Sequence, residues 1–339
     1  MKTKNLLFLF IALITISCKP EMEMNTYSGY TQGTTFSIKF FENGEGQKFK
    51  QGIDSIFRAI NYTASTYDKN SIITKVNENQ NVELNEDFIK IFNKSIEVSD
   101  STNGCFDITV GDLVRCWGFG IKTQKMPTDF QVDSLRKFVG YKNISIIDGK
   151  VVKKYPEIKI DFNAIAQGYT VDLVAEYFIR NGCNNFIVEV GGEVRASGTK
   201  EGNNPWVVGI EKPAQTDSSA QSIQHKIQLV NKSISTSGNY RKYFVKDGIK
   251  FSHTIDPKTG YPVHHSLLSV SIIADDCTTA DAYCTAFMVM GIEKSKEFLK
   301  QHPRIEAYLI YSDSTNQNRD FSTPNFFTVK KNKATIFDS

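Results

Sequence analysis

Asp281 and Thr285 stand four residues apart in the stretch SVSIIADDCTTADAYCTAFMVMG, Ser269 to Gly291. At helical spacing a carboxylate and a hydroxyl so placed project from one face. Two hard oxygens near a helix start suit Mg²⁺, which is usually held by one or two carboxylates while water and phosphate oxygens fill its other positions. Thr278 and Asp281 also fit the pattern Ser/Thr-x-x-Asp/Glu, so the same residues read as an ordinary capped helix. His253 sits in SHTIDPKTG among a turn, an acid and hydroxyls. Histidine ordinarily titrates near neutrality, which makes it the candidate base for taking a proton from a hydroxyl nucleophile; a lone structural histidine would look the same.

A third group lies in TNGCFDITVGDLVRCWGFG, where Gly104, Gly111, Gly118 and Gly120 alternate with Phe106, Trp117 and Phe119 around Asp107. Glycines let a ligand approach the backbone closely, and aromatic rings offer faces to an isoalloxazine or adenine. A packed glycine-rich turn has the same composition. Tyr67 in STYDKNSIITKVN could stack on a flat ligand or be a half-buried loop residue.

These residues need elements to hold them. Leu267 to Ile273 reads as a strand, and Ala280 to Met290 as a helix that closes at Gly291, followed by a charged helix over Ile292 to Gln301. Lys159 to Phe162 reads as a strand leading into a helix from Ile165 that Gly182 ends. The N-terminus of that helix would be a ready anion site, with Asp161 at its entrance either as cap or as a grip on a polar ligand group. Amphipathic spacing predicts helices over Lys48 to Asn61 and Asn85 to Ser101, and a short one after Pro127. Strands are predicted at Thr35 to Phe40, Phe186 to Val190, Pro205 to Pro213 and Ile305 to Tyr311, with a hairpin through Asp247-Gly248 and a polar tail at the end. Gly191-Gly192-Glu193 lacks the dinucleotide fingerprint, and no Walker A sequence occurs.

The 339 residues are 40% hydrophobic with a net charge of +3, enough for a sizeable core and without the basic footprint of a nucleic-acid binder. Residues 1–17 read as an export signal: Lys2 and Lys4, an apolar run from Leu6 to Ile16, then Ser17. Cys18 fits the lipidated cysteine of a bacterial lipoprotein, and 18–26 reads as a polar tether before a domain over 27–335. Five cysteines remain without zinc spacing, and Cys277 and Cys284 are a conceivable disulfide pair.

Taken in order, GYTQGTTFSI, STYDKNSIITKVN, TNGCFDITVGDLVRCWGFG, DFNAIAQGYTVD, VEVGGEVRASG, SISTSGNYRKYF, SHTIDPKTGYPV and DDCTTADAYCTAF resemble the ApbE family, the FAD:protein FMN transferases. The likeness runs from Tyr27 to Tyr311. It implies a single α+β domain, two-lobed and T-fold-like, of mixed β-sheets packed with helices, with the site in a cleft between the lobes. It also implies cleavage of the FAD pyrophosphate and transfer of FMN to a threonine or serine hydroxyl of a target protein, with release of AMP.

By that resemblance Mg²⁺ is held by the Asp281 carboxylate, the Thr285 hydroxyl and the Ala164 carbonyl, and His253 is the base. Tyr67, Cys105, Phe106, Asp107, Asp161 and Ile255 match FAD-contacting positions. Gln32 and Gln167 fall at two more, where the family usually carries Met and Lys, and Asn163 replaces Gly or Ser. Losing the lysine removes a positive charge that would face phosphate. Expected partners are FAD and acceptor flavoproteins such as subunits of membrane electron-transport complexes. The expected location is a bacterial membrane, with the domain on the periplasmic side and the inner membrane favoured. Two other readings stay open: an Mg²⁺-dependent FAD pyrophosphatase yielding FMN and AMP, and a flavin-binding lipoprotein without turnover.

Overall fold

Eight antiparallel strands form the frame on which the helices are hung, in the spatial order β1-β2-β5-β6-β9-β12-β13-β14. The computed structural model describes residues 22–119, 126–213, 222–239, 243–246 and 249–327. The chain starts with β1 (Glu23–Thr31) and β2 (Thr34–Glu42), then α1 (Gly46–Ala64), α2 (Ile72–Asn77), α3 (Glu86–Ser101), α4 (Gly111–Cys116) and α5 (Asp129–Arg136). The small hairpin β3 (Ile144–Ile147) and β4 (Lys150–Lys153) precedes α6 (Ala166–Arg180), β5 (Phe186–Val190) and β6 (Glu193–Ser197). Two further hairpins, β7 (Trp206–Glu211) with β8 (Ile223–Leu229) and β10 (Tyr243–Lys246) with β11 (Ile249–Ser252), flank β9 (Lys232–Gly238). The last elements are β12 (Leu267–Ala274), α7 (Cys277–Gln301), β13 (Glu306–Ser312) and β14 (Asn318–Ser322).

Alternation sets the two faces of the sheet. On β2, Phe36, Ile38 and Phe40 point into one core with Phe49, Ile53 and Phe57 of α1 and Val171, Val174 and Phe178 of α6. Ring centroids in this cluster lie 4.9 Å (Phe40 to Phe178) and 5.1 Å (Phe178 to Phe186) apart. Each such buried phenyl group contributes about 1.5 to 3 kcal/mol through removal from water. A second core joins α2, α3, β12 and α7, and also takes Ala166 and Tyr169 from α6. The opposite face is covered by the β7–β8 hairpin through Trp206, Ile210, Ile227 and Leu229. α7 lacks a strong apolar stripe because its first turns are buried nearly all round, which small residues such as Ala280, Ala282, Cys284 and Ala286 permit.

Several expected elements shift. Residues 23–26, expected as tether, pair with 39–42 as the start of β1, so the sheet begins earlier than the polar composition suggests. Lys159 to Phe162 is no strand: the Ile160 amide and carbonyl bond to the Asn77 side chain at 2.7 and 2.8 Å, which satisfies the backbone without a neighbouring strand. The expected polar tail contains β14, paired with β13. Cys277 and Cys284 are free thiols. Seven residues apart on one helix, they are separated by about 10 Å of rise, beyond disulfide reach. The signal, Cys18, the Asp247-Gly248 turn and 328–335 lie outside the described residues. Among the described residues no helix is long and apolar enough to cross a membrane.

Candidate functional site

The N-terminal turns of α6 and α7 meet at Gly168. A Cβ there would lie 2.5 Å from the Cys277 carbonyl oxygen and 2.8 Å from the Asp281 Cβ, so only glycine permits this approach. The first amides of α7 are taken by two carboxylates. Asp276, the N-cap, accepts from the Thr279 amide at 2.7 Å. From across the junction Asp172 accepts from the Cys277 and Thr278 amides at 2.9 and 2.8 Å and from the Thr278 hydroxyl at 2.6 Å. Arg195 pairs with Asp172 at 2.7 Å. The expected capping box of Thr278 and Asp281 is therefore absent, because Thr278 is already inside the helix and its hydroxyl is bound to Asp172.

That leaves Asp281 for other work. Its Oδ2 accepts the Gly168 amide at 3.0 Å. Regular helical bonding would direct that amide to the carbonyl of Ala164, in the turn before α6; it goes to Asp281 instead. The Ala164 carbonyl, the Asp281 carboxylate and the half-buried Thr285 hydroxyl one turn along α7 thus remain as oxygen donors at this junction. Among the described residues no three His, Cys, Asp or Glu side chains gather as a metal cluster. The donor set is one carboxylate with neutral oxygens, which fits a hard divalent cation that keeps part of its hydration. Burial pushes the Asp281 carboxyl up to about 7, the Gly168 amide opposing this and the Asp172 charge adding to it. A cation at these oxygens would hold the group ionised.

The expected flavin residues fall into two sets in the structure. In the first, Gln32 occupies the β1–β2 turn with φ 50° and donates through Nε2 to the Thr170 hydroxyl at 2.6 Å. Gln167, one turn before Thr170, lies against Gly191, where a Cβ would come within 3.0 Å of its Nε2. Two of the three departures from the family pattern, Gln32 and Gln167, thus lie along one side of α6. Asp161 does not cap α6; its carboxylate accepts the Asn163 amide at 2.7 Å and side-chain amide at 3.2 Å, and burial raises its pKa. Tyr67 is 70% exposed, on a loop whose following helix α2 is tied to Ile160 through Asn77.

The second set is carried by the 105–119 segment and the turn after β11. Asp107 is buried with its carboxylate committed inward, to the Thr109 amide and hydroxyl (2.8 and 2.6 Å) and the Tyr141 amide (2.8 Å), so any ligand contact from this segment has to come from backbone or from its neighbours. Phe106 is a core residue, 1% exposed. Cys105 is half-buried; burial raises its thiol pKa, and the charges of Lys258, Asp256 and Lys294 act on it. Ile255 is buried with Leu113, Trp117 and Val132. His253 is half-buried, its ring edge-on to Phe119 at 6.2 Å. Trp117 fixes this turn by donating to the Gly260 carbonyl at 2.8 Å. The Asp161 amide donates to the Ile108 carbonyl at 2.7 Å, and Gly111 packs on the Asp161 Cβ, which joins the second set to the first.

Two surface grooves of about 510 and 320 Å³ lie elsewhere, one beside Lys200, Asn204 and Gln228 and one between β1 and α1. Sequence reasoning missed Gly168, Asp172 and Arg195. All three fall inside quoted motifs, but nothing in their spacing tells that a carboxylate on one helix caps another.

The model of the ApbE family matches residues 32–309. The FAD:protein FMN transferase of Haemophilus influenzae is 35% identical, over 88% of this chain and 90% of its own length. The protein of the same name from Escherichia coli K12 is 31% identical over 92% of both. Among solved structures, the flavin transferase ApbE from Vibrio cholerae superposes with a TM-score of 0.82 at 31% identity, over 90% of this chain and 99% of that one. The matched span runs from the Gln32 turn to β13 and contains the junction of α6 and α7, and on these grounds the chain belongs to the ApbE family.

Proposed function

We propose that the protein is an Mg²⁺-dependent FAD:protein FMN transferase, joining FMN through a phosphoester to a threonine or serine of an acceptor flavoprotein. The observation that carries the reading is the Asp281 carboxylate, released from capping and set against the α6 amide of Gly168. Asp281, Thr285 and the Ala164 carbonyl would hold Mg²⁺, whose charge would offset that of the FAD pyrophosphate. Of the first α6 amides, those of Ala166 and Gly168 are bonded to the Phe162 carbonyl and to Asp281, so the cation rather than the helix start would orient the phosphates. His253 takes the proton of the acceptor hydroxyl as its oxygen bonds to the FMN phosphorus; the bond from that phosphorus to the bridging oxygen breaks, and AMP leaves with that oxygen. The Cys18 pattern supports a lipid anchor, and with it acceptors among membrane electron-transport subunits on the periplasmic side.

The test is incubation of the full chain, in detergent, with FAD, Mg²⁺ and a candidate acceptor, following AMP and protein-bound flavin together. Equal yields support the transferase; AMP with free FMN alone, in the presence of a competent acceptor, replaces it with a pyrophosphatase. Asp281→Ala is expected to abolish AMP release. A variant that still released AMP at the wild-type rate would overturn the assignment.

A further inference from the structure

Beside the Asp281 junction lies a carboxylate that the reaction above does not use. Glu193 opens β6 directly after the Gly191-Gly192 turn and is only 6% exposed. Its Oε1 receives a long hydrogen bond, 3.4 Å, from the Ser235 hydroxyl on β9. Its Oε2 is fully buried and has no hydrogen-bond partner among the described residues. Burial pushes this carboxyl well above its usual range, and the Asp281 charge adds to that shift. The Cys277 thiol donates to the Val194 carbonyl at 3.6 Å and the Cys284 thiol to the Ser235 carbonyl at 3.2 Å, so β6 and β9 hold Glu193 and Ser235 against the turns of α7 that carry Asp281.

The charges there do not balance. Asp172 is neutralised by Arg195 and spends its oxygens on α7. Glu193 and Asp281 are left as neighbouring buried acids. An unsatisfied buried carboxylate oxygen is expensive, and its position beside a second acid makes it more so. A divalent cation removes the imbalance, and the hydration it retains consists of hydrogen-bond donors.

We propose that Glu193 is a positioning residue for the divalent cation, its free Oε2 accepting a hydrogen bond from the cation's retained hydration water while Asp281, Thr285 and the Ala164 carbonyl bind the ion directly. This rests on the metal reading of the Asp281 junction. Loss of such a supporting carboxylate typically lowers metal affinity 10- to 100-fold.

The experiment is a titration of the full chain with Mn²⁺, free ion read by electron paramagnetic resonance, together with calorimetric Mg²⁺ binding. Glu193→Gln keeps the volume and the bond from Ser235, so a purely structural glutamate would leave affinity unchanged. The expected result is roughly a 10- to 100-fold weaker Kd in Glu193→Gln, with thermal stability in metal-free buffer equal to or above wild type. Glu193→Asp, which keeps the charge on a shorter arm, is expected to bind more tightly than Glu193→Gln, and this ranking decides the matter if the glutamine variant folds poorly. Affinity within twofold of wild type in Glu193→Gln, with binding lost in Asp281→Asn, overturns the role of Glu193 alone. Absence of saturable binding in the wild-type protein overturns both this role and the metal reading beneath it.

Discussion

His253 is held at its place by the shape of one turn. Thr254 accepts the Val263 amide, Asp256 and Gly260 close the loop, and Trp117 grips Gly260 from the neighbouring segment. The imidazole is left half-buried beside Phe119. His253→Ala is expected to lower FMN transfer by about 10² to 10⁴ with Mg²⁺ affinity retained; a near-normal single-turnover rate at neutral pH would reduce the residue to packing. One phenol sets a pH dependence of stability. The Tyr27 hydroxyl donates to Asp54 at 2.6 Å, and this bond, aided by burial and the Asp54 charge, pushes the phenol up to about 12. The folded value exceeds the unfolded value near 10, so the stabilisation is complete below pH 10 and is lost as pH rises through 12. Tyr27→Phe should cost about 1 kcal/mol in denaturant titrations at pH 8, the difference from wild type shrinking above pH 10.

At the scale of elements, the site is the product of a helix pair brought unusually close. Gly168→Ala would drive a methyl group into the Cys277 carbonyl and the Asp281 Cβ, and neither backbone can give way without moving a donor. We expect a loss of about 3 kcal/mol or more in chemical denaturation and a larger loss of Mg²⁺ affinity; an alanine variant with wild-type stability and binding would show that α6 and α7 can separate freely. Much of this pair was legible beforehand. Hydrophobic periodicity gave the helices on either side of Gly291, and the structure keeps that division: Gly291 has φ 75°, and the His265 ring fills the space where its Cβ would stand. Asp281 and Thr285 were legible as one helix face. What spacing cannot convey is a bond between elements, so Asp172 carries no signal in the sequence and Thr278 has the pattern of a cap. Lys159 to Phe162 failed for the same reason: an extended apolar run reads as a strand whether its amides meet a strand or the Asn77 side chain.

Across the whole molecule, α6 contributes side chains to both major cores, Val171, Val174 and Phe178 to one and Ala166 and Tyr169 to the other. The two halves of the sheet therefore share the helix that carries the site. Scanning calorimetry is expected to give one transition. Saturation with FAD and Mg²⁺ at about 100 times Kd should raise stability by about 2.7 kcal/mol without splitting it. Two separated transitions would mean that the cores melt independently. Alternation marks an inner strand such as β2, whereas β1 and β14 give no such signal, because edge strands with polar residues resemble tether and tail; the α+β class itself comes from the family resemblance.

The amide of Gly168 and the carboxylate of Asp281 are separated by 113 positions in the chain. A ribosome adding about 5 to 20 residues per second needs on the order of ten seconds to cross that gap. For most of that interval the emerging polypeptide carries Asp172 and Glu193 but lacks the Asp281 carboxylate on which the proposed metal site depends. The enzyme is therefore silent while it is being made, and its first turnover waits for the second helix to arrive.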